Sequence, residues 1–209
     1  YKDHLSREFK DVKVLAMWTV DNFVVQSRTP IRKLADMKGK KIRTPSSTQS
    51  AFIRALGGVP VNMPITKVYT SLERGVIDAF YAGSSAVFSF KLAEVVNHYT
   101  TGLGNGNLGV SILMNKGSWG KLSAAHKKAI DDASGMQLAM KGATAYDEKY
   151  AAGLKFAAKR KGVTITELPA SEQAAARNIF QPVIEKWIAD REKQGIKGQA
   201  MYDAARAIN

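Results

Sequence analysis

The chain has 209 residues, 45% of them hydrophobic, and carries 31 Lys and Arg against 18 Asp and Glu, a formal net charge of +13. That length holds one large domain or two small lobes, and the charge asks for an anionic partner: nucleic acid, an anionic membrane surface or small acids. With no cysteine, disulfides and thiolate metal sites are excluded, and without an apolar run of about 18 residues no direct membrane insertion is expected.

The chain opens at Tyr1 rather than at a methionine, in YKDHLSREFKDVKVLAMW, with no visible signal peptide. This reads as a helix running into a strand, and as the cut edge of a longer mature protein. VKVLAMW (12–18) is a short apolar run rich in Val and Leu, expected as a buried strand. IRKLADMKGKKIRTP (31–45) reads as a helical turn, a break at Gly39 and a strand over 40–44 closed by Pro45. SSTQSAFIRALGG (46–58) has a serine to cap it, an apolar face and a glycine stop, and so predicts a helix. VPVNMP (59–64) is a brief strand. The stretch 66–83 predicts a helix ending near Gly75 and a strand from Ile77 to Tyr81. A third helix is expected over 84–100, broken near its middle, then the glycine-rich loop GLGNGNLG (102–109) and a strand over 110–116.

From Ser123 to Lys161 no proline interrupts the chain. Apolar residues recur there at helical spacings, which predicts one long helix, on the order of 35 residues and roughly 50 Å. Gly135, Gly142 and Gly153 are its weak points. A strand over 163–168 follows, then a helix capped by Ser171 and kinked at Pro182, and a last helix over 198–207. Strands alternating with helices argue for an α/β fold with mostly parallel sheets.

Catalytic constellations are scarce. His4, His98 and His126 have no carboxylate or second histidine at metal-ligand spacing. Neither a G-x-S-x-G elbow nor a phosphate loop occurs, and GLGNGNLG leads into a strand rather than opening a helix. No cofactor and no metal are expected. The basic residues fall in separate clusters with no interleaved aromatic ladder, which argues against nucleic acid. Arg43 stands apart. It ends a predicted strand, just ahead of a helix N-terminus, where open α/β sheets bind ligands. A guanidinium there grips a carboxylate bidentately; the alternative reading is surface charge.

These residues carry a resemblance. LADMKGKKIRTPSS followed by ALGGVPVNMPITKVYTSLERGVIDA resembles the substrate-binding proteins of TRAP transporters (tripartite ATP-independent periplasmic transporters), the DctP-like family, and SFKLAEVVNHYT, MNKGSWGKLS and QPVIEKWIADREKQG are similar to that family's later segments. The chain resembles the C-terminal two-thirds of a member. The resemblance implies a two-lobed periplasmic-binding-protein-like α/β fold with a long lobe-spanning helix and the N-terminal part missing. Residues 1–20 and 109–140 would belong to the N-terminal lobe, and 21–108 and 141–209 would make the C-terminal lobe. It implies a periplasmic receptor, not an enzyme, with a small-molecule organic anion and TRAP membrane subunits as partners.

In the family the arginine of K-I-R-x-P pairs with the substrate carboxylate, a role the resemblance gives to Arg43, with Ser46 as the polar residue three places on. Two positions depart from the pattern: Phe23 stands where some members have a second arginine, and Ala82, within DAFYAGSS, stands near an asparagine that touches ligand in many. With one strong cation left, Trp18, Phe23, Phe80, Tyr81 and Phe88 are candidates to line an otherwise apolar pocket, and Ser84, Ser85, Asp21 and Asn22 to add polar contacts. Such a pocket favours a monocarboxylate with an apolar or aromatic body, because a second charge would be buried unpaired. Two rivals stand beside this reading. One is an α/β enzyme acting on an acidic substrate, with Glu73 or Asp78 as its acid. The other is a basic nucleic-acid-binding protein.

Overall fold

A computed structural model describes residues 5–104 and 107–207 of the chain. His4 and the start of the expected first helix lie outside the described residues, as do two positions of the glycine-rich loop. Residues 5–11 form turns rather than a helix.

Two sheets organise the molecule. The smaller pairs β1 (Val12–Thr19) with β7 (Gly109–Asn115) in antiparallel register, Trp18 opposite Val110. The larger has six strands in the order β4-β3-β5-β2-β6-β8: β2 (Phe23–Ser27), β3 (Lys41–Thr44), β4 (Val59–Asn62), β5 (Ala79–Gly83), β6 (His98–Thr101) and β8 (Thr164–Glu167). The fold class is α/β as expected, but the large sheet is mixed. β2 runs antiparallel to both neighbours, β5 and β6, while β3–β4, β3–β5 and β6–β8 are parallel. The sequence reading missed β2 and β6. Every residue of β2 and β5 is buried, so neither strand shows the polar–apolar alternation that marks a half-exposed strand.

The large sheet is covered on both faces. Side chains alternate across a strand, so Phe23, Val25, Ile42, Ala79 and Tyr81 enter one core with Phe52 and Ile53 of α1 (Ser47–Ala55) and Ala176 and Phe180 of α7 (Ala170–Lys193). On the other face Val24, Phe80 and Ala82 meet Val68 and Leu72 of α2 (Val68–Glu73), Val87 of α3 (Ala86–Ser89) and Ala157. The expected helix over 84–100 is only α3 and a single 3-10 turn at Leu92–Glu94, and residues 98–101 form the strand β6. Thr100 and Tyr99, buried between β2 and β8, complete the sheet instead of extending a helix.

The long helix is also interrupted. After α4 (Lys116–Gly120), α5 (Ala124–Asp132) stops, and α6 (Met136–Ala158) starts anew. Gly135 has φ 74°, a left-handed value that breaks the helical path and that glycine adopts without Cβ strain. Its N–H donates to the Leu15 carbonyl at 2.7 Å, which ties the break to β1. Helix α6 alone has 23 residues, about 35 Å long. Pro169, not Ser171, occupies the N-cap of α7, and Pro182 lies inside that helix. The last helix among the described residues is α8 (Gly198–Arg206).

Candidate functional site

Helix α6 passes over both sheets, and two glycines let it come close. A Cβ on Gly142 would stand 2.6 Å from the Trp18 ring of β1, and one on Gly153 would stand 2.5 Å from the backbone oxygen of Ser84, just past β5. Eleven residues make about three helical turns, so the two glycines share one face. Between them on that face lie Ala145, Tyr146 and Lys149, which line a cavity of about 520 Å³.

The rest of the wall comes from both sheets and their loops. Val20 and Val110 border the small sheet; Arg43, Phe23, Ala82 and Gly83 belong to the large one; Phe88 and Phe90 come from α3 and its end. Leu108, Ile65 and Pro45 add further apolar surface.

Arg43 is the site's buried cation, 5% exposed. It sits on β3 in register with Phe80 of β5, and its Nε donates to the Met63 carbonyl at 2.9 Å. That one bond orients the guanidinium, and none of the ion pairs among the described residues involves it. Its terminal nitrogens make no hydrogen bond to the described residues, and they are not among the buried polar atoms sealed without a partner. They therefore open into the cavity. Burial pulls the guanidinium down to about 10, with no carboxylate offsetting the effect, and it stays cationic at neutral pH. A buried cation lacking a protein anion is costly to keep and suited to an anion from outside.

Asp21 is the acid of the wall, and it too is buried. Ser85 donates to it twice, from its backbone N–H to Oδ2 at 3.1 Å and from its hydroxyl to Oδ1 at 3.0 Å. Gly83 makes this possible, since a Cβ there would fall 2.0 Å from Oδ1. Burial pushes the Asp21 carboxyl above the usual carboxylate range; the Ser85 bonds oppose this, and the charge of Asp147 on α6 adds to it. Asp78 and Glu73, the acids of the enzyme reading, do not line the cavity. Asp78 instead accepts from the Lys41 N–H at 2.8 Å. Among the described residues no group of three or more His, Asp or Glu is placed to hold a metal ion.

Of the residues singled out in the sequence, the cavity brings together Arg43, Phe23, Phe88, Ala82, Asp21 and Ser85. Trp18, Phe80, Tyr81 and Ser84 are not in its wall. Trp18 is covered by Gly142 of α6. Phe80 points into the core on the α2 side. Tyr81, one residue on, points into the opposite core, where it meets the Phe23 ring edge-on at 5.1 Å and donates to the Gly104 carbonyl at 2.6 Å. Ser84 is sealed under α6 and donates to the Tyr150 carbonyl at 2.8 Å. Ser46 holds the N-cap position of α1, but its hydroxyl donates to the Gln49 side chain rather than capping the backbone, and it lies outside the wall. Asn22 borders a separate, smaller cavity. Sequence reading missed Ala145, Tyr146 and Lys149, although their spacing between two glycines eleven residues apart is visible in the chain.

Comparison with known proteins gives a consistent set. The family model for DctP, bacterial extracellular solute-binding protein, family 7, matches residues 2–190. The C4-dicarboxylate-binding periplasmic protein DctP of Rhodobacter capsulatus is 32% identical over 207 residues, covering 96% of this chain and 59% of that protein. A TRAP solute-binding protein from Rhodoferax ferrireducens T118, solved with copurified benzoate, superposes with TM-score 0.93 at 28% identity, covering 99% of this chain and 65% of that one. A marine-metagenome TRAP solute-binding protein specific for aromatic acid ligands superposes with TM-score 0.90 at 28% identity, covering 97% and 64%. The chain thus spans less than two-thirds of the length of each. Among the described residues no helix is long and apolar enough to cross a membrane.

Proposed function

The chain belongs to the bacterial extracellular solute-binding proteins of family 7, the DctP family, and on that premise we propose that it is the greater part of a TRAP-type receptor that binds an organic monocarboxylate with an apolar or aromatic body. The family consists of transport proteins rather than enzymes. One observation carries the reading: Arg43 is buried, unpaired and open to a cavity whose wall is mainly apolar. A carboxylate there gains two charge-assisted hydrogen bonds, and the rings of Phe23, Phe88 and Phe90 take up its body.

The Rhodobacter relative is named for C4-dicarboxylates, whereas of the two solved neighbours one holds copurified benzoate and the other is specific for aromatic acid ligands. The wall of this cavity favours the second class. Away from Arg43 the wall is mainly apolar, with Asp21 as its acid and Ser85, Ser89 and Tyr146 as its neutral polar residues, so a second carboxylate finds no buried cation. The other lining cation, Lys149, is exposed, with its ammonium 5.6 Å above the Phe88 ring.

In this reading the two sheets belong to two lobes, with the cavity at their junction and α6 joining them. The ligand favours a closed arrangement by touching both. The closed receptor then hands its acid to membrane subunits outside the cytoplasm.

The test is calorimetric titration of the full-length protein with benzoate, phenylacetate and succinate, beside Arg43→Ala. The aromatic monocarboxylates are expected to bind, and the substitution to weaken them by about 30-fold to several thousand-fold, the cost of about 2–5 kcal/mol for removing one partner of a buried charge pair. Binding of succinate alone would keep the receptor and sink the apolar-body argument. No binding of any acid would sink the receptor reading.

A further inference from the structure

The cavity holds two opposite charges that do not meet. Arg43 has no carboxylate partner, and the bonds to Asp21 come from Ser85. Burial alone lowers the guanidinium, with no contribution from Asp21. A structural carboxylate would be expected to use the nearest buried cation; this one is held away from it. Two features hold it in place. Gly83 leaves room for the carboxylate to lie against the end of β5, and Ser85, at the start of α3, fixes both oxygens. Ser85 takes one acceptor position on each oxygen and Asp21's own backbone N–H takes a third, which leaves one of the carboxylate's about four positions open.

Resting on the receptor reading above, we propose that Asp21 is a specificity-determining residue, which selects carboxylic acids carrying an O–H or N–H donor on the part of the body remote from the carboxylate. The acid end of the ligand binds Arg43, the apolar body lies along Phe23, Phe88 and Phe90, and the donor completes the free valence of Asp21. A donor is rewarded because the acceptor is already desolvated: a ligand lacking one leaves a buried carboxylate with part of its hydrogen-bonding capacity unmet. An acid with an acceptor in that place, whether an ether oxygen or a second carboxylate, is rejected by the charge of Asp21, reinforced by Asp147.

The experiment is a matched ligand series on the full-length protein, read by calorimetry at neutral pH: phenylacetate, its 3- and 4-hydroxy forms, the corresponding methoxy forms and the 4-aminomethyl form. At least one hydroxy or aminomethyl acid is expected to bind about tenfold or more tightly than both the unsubstituted acid and the methoxy acid of the same position. Asp21→Asn, which keeps the shape and one acceptor for Ser85 but loses the charge and the second acceptor, should reduce that preference at least about threefold, since charge-assisted bonds are roughly twice as strong as neutral ones. Acids that bind within about threefold of one another in the unaltered protein would overturn the assignment while leaving the receptor intact. A preference that survives Asp21→Asn unchanged would move it to another residue and also overturn it. If no acid binds, the receptor reading fails, and this one with it. Even if Asp21→Asn does not fold, the unaltered protein overturns the assignment when the acids bind alike.

Discussion

The two sheets differ in how far they support themselves. In the large sheet the central strands β2 and β5 are buried along their whole length, with a helix-lined core on each face. In the small sheet only Ala16 of β1 is fully buried, and Ile112 and Leu113 of β7 are exposed, as are Met136 and Met140 on the first turns of α6. The large sheet therefore holds the cation in a closely packed setting, while the small sheet meets the rest of the chain through α4, α6 and the Lys13–Asp131 pair to α5. A ligand that touches Val20 and Val110 as well as Arg43 adds a bridge between the two.

Several substitutions sharpen or break this contrast. The largest effect is expected in the large sheet's core: Phe180→Ala, which removes a fully buried ring in contact with Phe52, should cost about 3–5 kcal/mol in denaturant titration. Ile112→Ala in the small sheet, by contrast, should stay within about 0.5 kcal/mol. Equal effects would show that the small sheet is as tightly held as the large one.

The two glycine contacts of α6 come next. Gly153→Ala drives a methyl group into the backbone of Ser84, which cannot turn aside, so a loss of about 1–3 kcal/mol is expected. Gly142→Ala meets first the Trp18 side chain on the less buried sheet, which can shift more readily than backbone, so a smaller loss is expected. Thermal unfolding of the pair decides the order, and a larger loss at Gly142 would reverse the ranking of the two sheets.

Arg43→Met should then separate stability from binding. On the proposed function acid binding should be lost, yet the unliganded protein should gain about 1 kcal/mol, because a buried charge without a carboxylate partner is replaced by an apolar side chain of similar length. A lowered melting temperature without ligand would mean that Arg43 serves the fold. The smallest effect belongs to the Lys13–Asp131 pair, which links β1 to α5 at 2.7 Å with both side chains substantially exposed; Asp131→Ala should cost no more than about 1 kcal/mol, less at high salt.

The sequence by itself determined a good deal. Gly39, Pro45 and the alternating runs marked β3, α1 and β4, and those elements stand where expected because local signals and tertiary packing agree there. The K-I-R-x-P run placed a lone arginine at the end of a strand, which is where the structure has it. Asp21 and Ser85 were also within view, as residues of the right segments. Which neighbours share a face emerged only on folding. Phe80 and Tyr81 are adjacent, and the pleat sends them into opposite cores, away from the cavity. Strand β2 was invisible because burial on both sides erases the two-residue period. The break at Gly135 depends on a hydrogen bond to Leu15, more than a hundred residues away in the chain. The Asp21–Ser85 contact depends likewise on a close approach between segments that only the folded sheet brings together, because composition and periodicity report a residue's own surroundings along the chain and say little about what packs across from it.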